Sequence, residues 1–401
     1  MKALHALLLV ASCGAALSAQ TPRTRTLSAP AAEFAEPFTN ITSVRELKDG
    51  RVLVTDRTDK AIKLVNFATG SATAVSRTGS GPTEVALPTR LHALAGDTTL
   101  VNDGQNLRYL VIGPDGTPLS TFTLGDGDRR VIGLANAVST RGNFYFVDGK
   151  YAPDAGPMAG EVAQMLVRRR RNDSRADTLV TLMVPAGRRT GARTVSAGLL
   201  FNYNSRPFAA EDAVAVASDD WIAVVRGADY HVEWIQPDGR VITGPPVAYM
   251  PIPVTDAEKK AYAASQTRPG QIIVYGPGGA PPAPAPGAGS GSGGRAAGGT
   301  VALPPGYDPF SGSDVVWPRA KAAFAANAAV IANDGRLWVL RARAHDDPIP
   351  AYDVFDRQGR LTERVALPKG ARLVGFGANS VYLVRTDADD LQYLQRYRAN
   401  E

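Results

Sequence analysis

Apolar residues in this chain come in short runs rich in Val, Ile, Leu, Phe, Tyr and Trp, each opening just after a tight turn. The runs are 51–55 (RVLVT), 99–101 (TLV), 143–147 (NFYFV), 221–225 (WIAVV), 336–340 (RLWVL) and 380–384 (SVYLV). Their length and β-branched or aromatic content predict strands buried on both faces. The turns before them are Asp49-Gly50, Gly96-Asp97, Arg141-Gly142, Asp219-Asp220, Asp334-Gly335 and Ala378-Asn379. A second set follows a third strand in five of the units: Ala68-Thr69-Gly70, Pro114-Asp115-Gly116, Asn172-Asp173-Ser174, Pro237-Asp238-Gly239 and Arg357-Gln358-Gly359. These place Gly, Asn or Asp where a turn needs positive φ.

Where the units run uninterrupted, the first turns at 49, 96 and 141, and again at 334 and 378, lie 44 to 47 residues apart. That is the length of a four-stranded propeller blade, so the pattern predicts an all-β fold, a six-bladed β-propeller of four-stranded antiparallel blades. The sixth unit ends at 391–398 without a fourth strand. An unpaired last blade would leave an exposed edge, so an N-terminal strand is expected to close it, and 23–27 (RTRTL) is the expected donor.

The longer gaps, 141 to 219 and 219 to 334, require insertions. Thr255-Asp-Ala-Glu258 is a capping-box sequence opening a short helix through about Ser265. It begins an insertion over 255–315 whose tract 276–299, with 15 Gly or Pro in 24 residues, is expected to be a disordered connector. Residues 1–19 have the layout of a secretory signal, with Lys2, an apolar run over 3–10 and Ser18-Ala19 before Gln20. The alternative is a lipoprotein signal, because Val10-Ala-Ser-Cys13 resembles a lipobox whose cysteine is acylated. Both readings imply a secreted or periplasmic protein, anchored through Cys13 in the second. Cys13 is the only cysteine, so a mature chain from Gln20 forms neither a disulfide nor a thiolate metal site. No second apolar run reaches the ~18 residues of a bilayer span, so no integral membrane segment is expected after signal removal.

Just after the first unit, Arg77-Thr-Gly-Ser-Gly-Pro-Thr-Glu-Val85 resembles the Arg-x-Gly-x-Gly-Pro-Gly-Glu-Phe/Tyr loop of exported bacterial six-bladed β-propeller proteins, broadly similar to NHL and TolB-like propellers. The blade pattern extends the resemblance over nearly the whole mature chain. The sequence departs from the motif at Thr83, where the family has Gly, and at Val85, where it has an aromatic. The resemblance implies the fold and says almost nothing of chemistry, because the family is largely of unknown function and propellers host many activities.

Charge changes the picture little: 44 Lys and Arg against 38 Asp and Glu leave +6. Basic residues are not interleaved with stacking aromatics, which argues against a nucleic-acid partner. The dense block 168–171 (RRRR) reads as a solvated strand end, with an anionic contact as the alternative. Gly79 and Gly81 lack the third glycine and following helix of a phosphate loop and read as a blade connector. His92, His231 and His345 fall in three units without paired spacing, so neither a zinc site nor a Ser-His-Asp triad follows. The clusters at 126–128, 346–347 and 387–390 fall short of a calcium loop. No metal and no cofactor is assigned.

Phe38, Phe208 and Phe324 precede the first-turn Asp of their units by eleven, eleven and ten residues, with Glu36, Arg206, Arg319 and Lys321 nearby. Segments approaching the innermost strands lie beside a propeller's central channel. These residues therefore either wedge between blades with solvated charges or line the channel mouth. On the second reading Arg90, Arg206, Arg319 and Lys321, opposed only by Glu36, form a site for small anions, carboxylates or phosphates, with the 255–265 helix as a lid. The expected function is then a ligand- or protein-binding scaffold. Two alternatives stay open. One is a metal-assisted lactonase or esterase using channel oxygens such as Asn102, Asp103, Asn136 and Asp148, the other a structural envelope protein. No catalytic signature decides whether the chain is an enzyme.

Overall fold

A computed structural model of the chain describes residues 21–125, 133–147, 161–185, 191–195, 199–203, 206–266 and 315–399. The expected signal 1–19, Cys13, the tract 276–299 and Asp148 lie outside the described residues. Within them the chain forms six four-stranded blades, one of which gains a fifth strand. The innermost strands, in chain order, are Ile41–Glu46, Pro88–Ala93, Ala137–Val138, Ala213–Val216, Phe324–Ile331 and Arg372–Phe376. The six apolar runs become the second strands: Val52–Asp56, Thr99–Asp103, Asn143–Val147, Ile222–Arg226, Leu337–Arg341 and Ser380–Thr386. From the sixth blade through the first to the fifth, successive innermost strands lie side by side and wall a central channel.

The apolar runs drive this arrangement because alternate residues of a strand point to opposite faces, and each face of a blade meets a different neighbour. Val52 and Val54 join Tyr382 and Val384 of the last blade, while Leu53 joins Val101 and Leu110 of the second. Six such clusters fill the six gaps between blades among the described residues. The largest buried side chains, Trp234 and Trp338, lie between blades four and five and between five and six. Buried side chains of this kind contribute about 1.5–3 kcal/mol each, so the ring is held by repeated apolar layers rather than by one centre. Several polar groups cross the gaps as hydrogen-bonded pairs, the usual state of a buried polar group. Tyr145 Oη donates to Asp220 Oδ1 at 2.6 Å, Tyr230 Oη to Asp353 Oδ2 at 2.7 Å, and Arg45 Nη2 meets Asp97 Oδ1 at 2.7 Å. Blades four and five approach so closely that a Cβ on Gly359, at φ 70°, would lie 2.7 Å from Gly244 Cα.

An N-terminal strand closes the last blade, but it is not the expected one. Ala32–Glu33 pairs antiparallel with Gln392–Arg398, supported by Phe34 N to Leu394 O at 2.9 Å and Phe38 N to Gln392 O at 2.8 Å. Arg23–Thr26 instead adds a parallel fifth strand to the fifth blade, beside Leu361–Ala366. The RTRTL alternation explains the correction: it turns Arg25 and Leu27 inward, Arg25 onto Glu363 at 2.6 Å and Leu27 into the cluster between blades five and six. The true closing strand has only two paired residues and was hidden between Pro30 and Pro37.

Two faces differ in kind. Turns between strands one and two, and between three and four, form a turn face. The opposite, loop face carries the connections between strands two and three and those between blades. The first insertion lengthens Glu161–Arg170 and Ala176–Pro185 to ten residues each and adds a hairpin of Gly191–Val195 with Leu199–Tyr203. The second holds the helix Asp256–Gln266.

Candidate anion site at the channel mouth

Arg90 stands on the innermost strand of blade two, toward its loop-face end, and its side chain is exposed. The faces of an innermost strand are covered by neighbouring blades, so its open side is the channel. Nη1 donates to Asn136 O, 2.6 Å away on the approach to blade three. Arg372 opens the innermost strand of blade six, is likewise exposed, and donates through Nη2 to Ile41 O at 2.8 Å and Gln392 Oε1 at 3.2 Å. Both guanidiniums are wet yet walled in by protein, and this loss of bulk water draws both pKa values downward. Neither loses its charge near neutrality. Among the described residues neither has a carboxylate partner.

Blade one's innermost strand separates the two. Arg372 bonds to Ile41, and Leu91, next to Arg90, donates its amide to Ser43 Oγ at 3.2 Å. Two residues of extended chain, about 7 Å of rise, lie between these anchor points. His92, two residues beyond Arg90, is buried and meets Asn102 Oδ1 at 3.1 Å through Nε2. Asn102 donates its amide nitrogen to Ala135 O at 2.9 Å, so Oδ1 is the acceptor and His92 is the neutral tautomer protonated on Nε2. Burial first, and the Arg90 charge second, hold the His92 pKa down at about 4.

The other expected cations lie around the helix. Lys321 is buried, with Nζ 2.5 Å from Glu258 Oε2, 2.8 Å from Arg343 O, and 4.6 Å over the Phe208 ring. Its charge is neutralised under the helix, not offered to the channel. Half of the capping box forms, Glu258 N donating to Thr255 Oγ1 at 3.3 Å, but the Glu258 carboxylate turns to Lys321 and to the His345 amide at 2.9 Å. Phe208 and Trp317 grip Tyr262 of the helix at 5.1 and 5.7 Å. Arg206 is half-buried two residues before Phe208, whose φ of 63° turns the chain toward blade four. Arg319 is exposed, and its carbonyl accepts from Val254 N at 3.0 Å. Glu36 is exposed, while Phe38 and Phe324 wedge between blades. The structure thus puts Arg90 on the inner wall and Lys321 beneath the helix. It adds Arg372, which sequence reading missed; the available signal was a charged residue opening an otherwise apolar innermost strand, 372–376 (RLVGF).

The oxygens considered for a metal are committed elsewhere. Asp103 Oδ1 accepts the Ala86 and Leu87 amides at 3.1 and 3.0 Å, and its other oxygen holds Asn106 at 2.7 Å and Arg108 at 3.3 Å. Asp56 braces the start of blade one in the same way, through the Thr39 and Asn40 amides. Asn136 Oδ1 accepts Val147 N at 2.8 Å. Among the described residues no three His, Cys, Asp or Glu side chains converge on one point. The loop after the first blade is held likewise: Arg108 donates to the carbonyls of Ser80, Gly81 and Glu84, each at 2.8 Å, and Gly81 N donates to Glu84 Oε2 at 2.8 Å. It is a clamped blade connector.

No protein-family model matches the chain, and no curated protein matches it. Among solved structures it is similar to a virginiamycin B lyase from Staphylococcus aureus, at 10% identity and TM-score 0.38, covering 90% of this chain and 96% of the other. It is similar to regucalcin, a calcium-binding protein from Agrobacterium tumefaciens, at 10% identity and TM-score 0.38, covering 95% and 98%. A member of the DUF4221 family from Bacteroides vulgatus gives 6% identity and TM-score 0.47, covering 92% and 97%. By its own blades, strand order and six inter-blade cores, the chain is a six-bladed β-propeller.

Proposed function

We propose that the chain is a binding protein for a small anion, a carboxylate or a phosphate, held at the loop-face mouth of the channel by Arg90 and Arg372. One observation carries the reading: two charged guanidiniums stand on the channel wall, partly withdrawn from bulk water, with no carboxylate partner among the described residues. A cation so placed is under-solvated, and an anion restores the lost stabilisation while the low-dielectric wall focuses the attraction. Guanidinium forks suit carboxylate and phosphate oxygens. Arg206 and Arg319 complete the rim in this reading, and the helix Asp256–Gln266 partly covers it. With 1–19 read as an export signal, the protein works in the periplasm or outside the cell.

The test is a thermal-shift and calorimetric screen of citrate, gluconate and inorganic phosphate against the full mature chain. At least one should bind, and Arg90→Gln should weaken it more than tenfold, the about 1.5–3 kcal/mol of a charged hydrogen bond. The melting temperature of the free variant should stay near that of the parent. No shift with any anion, or binding indifferent to Arg90→Gln, overturns the proposal.

A further inference from the structure

We infer that the turn face carries a second oxyanion site, in the groove between blades three and four, at the opposite end of the molecule from Arg90 and Arg372. The groove has a volume of about 890 Å³ and is lined by Arg141, Arg168, Arg170 and Arg171 against only two carboxylates, Asp173 and Asp220. It is built by strand alternation. On the long strand Glu161–Arg170, Arg169 points one way and crosses to blade two, where Nη2 donates to Leu124 O at 2.6 Å and Nη1 to Gly125 O at 3.3 Å. Arg168 and Arg170 therefore project to the other side, toward blade four. Arg169 Nε also donates to Asp173 O at 2.6 Å, fixing the turn that presents Arg171. The Arg171 guanidinium lies 3.7 Å over the Phe122 ring, which positions it while leaving its N–H edge free to donate.

The two lining carboxylates offset only part of the charge of the four arginines. Asp220 accepts from Tyr145 Oη at 2.6 Å and Asn143 Nδ2 at 3.0 Å, with Arg141 at 3.5 Å, and Asp173 accepts the Arg175 amide at 2.9 Å. Arg168 meets Asp177, outside the groove, through one nitrogen at 2.9 Å. Arg170 is exposed and has no carboxylate partner among the described residues. The excess of forked donors, spread over two turns, fits a small soluble ligand bearing two or more phosphate-like groups better than a single anion.

Inorganic pyrophosphate is the probe, titrated calorimetrically into the full mature chain at low ionic strength, with orthophosphate alongside. The expected result is saturable pyrophosphate binding, tighter than orthophosphate, weakened at least tenfold by the double variant Arg170→Gln/Arg171→Gln and by raised salt. Arg141→Gln, on a separate turn, should weaken it as well. Titrated into Arg90→Gln, which disables the channel mouth, pyrophosphate should still bind the turn face and still be weakened by Arg170→Gln/Arg171→Gln, which separates the two sites. Absence of binding, equal affinity in the double variant, or loss on Arg90→Gln instead would each overturn the assignment. Arg141 and Arg171 are on surface turns and Arg170 is an exposed strand end, so circular dichroism of the variants should match the parent.

Discussion

Arg90 and His92 sit two residues apart on one strand and meet opposite fates. The first is wet and charged, the second buried and neutral. The histidine makes a pH prediction whose sign follows from its depressed pKa. Below the ordinary value of 6.5 the unfolded chain takes up a proton that the native state refuses until about pH 4. Stability present above pH 6.5 is therefore lost as pH falls toward 4, by about 2 kcal/mol between pH 7 and pH 5 for this one group. Urea titrations of the parent and His92→Gln at both pH values check this: the variant should lose about 2 kcal/mol less over that interval. Equal losses would place the acid sensitivity elsewhere. At this scale the sequence was legible where a residue's role depends on its own strand. Arg90 could be named as a channel-mouth candidate from its place in the second unit, and His92 offered no paired spacing that would make it a metal ligand or triad member. Lys321 could not be sorted, because its partner Glu258 comes from a helix remote in sequence and only tertiary contact shows the charge neutralised.

Two elements outside the regular blades make their own predictions. Residues before Ala32 add a fifth strand with a buried ion pair, and those from Ala32 to Phe38 close the ring. Starting the chain at Ala29 should cost a few kcal/mol, since Glu363 loses Arg25 but keeps Arg336 at 3.0 Å. Starting it at Thr39 removes Phe34 and Phe38 from the core between the last and first blades and should abolish cooperative unfolding or cause aggregation. Thermal melts of the two truncations should differ sharply; like behaviour would contradict the assignment of closure to Ala32–Phe38. Sequence reading foresaw an N-terminal donor but chose the segment with strand-like alternation, because the true closing strand is too short to leave a periodic signal. The helix is the second case. Its start was legible from Thr255 and Glu258, yet the Glu258 carboxylate serves tertiary anchoring rather than the full cap. Glu258→Gln should raise amide exchange over Asp256–Gln266 and the segment around His345, leaving the blades protected. Unchanged exchange there would mean the aromatic grip on Tyr262 alone holds the helix.

Across the whole molecule, the architecture was the most legible level because it is repeated. Six turn-and-strand units, 44 to 47 residues apart where no insertion intervenes, dictate six blades, and the two-faced burial of each second strand dictates two cores per blade, shared with neighbours. The chemistry is not repeated and so left no periodic trace. Arg372 acquires meaning only because ring closure brings the last blade beside the first, where it reaches Ile41 O. The account's central claim is that Arg90 and Arg372, on either side of blade one, hold one anion together. The most direct measurement is a calorimetric double-mutant cycle on the tightest-binding anion of the screen, using Arg90→Gln, Arg372→Gln and the pair. Each single variant should weaken binding more than tenfold, and the double variant should lose less than the sum, because the second guanidinium loses its ligand with the first. Strictly additive losses, or a single variant that binds as the parent does, would contradict it.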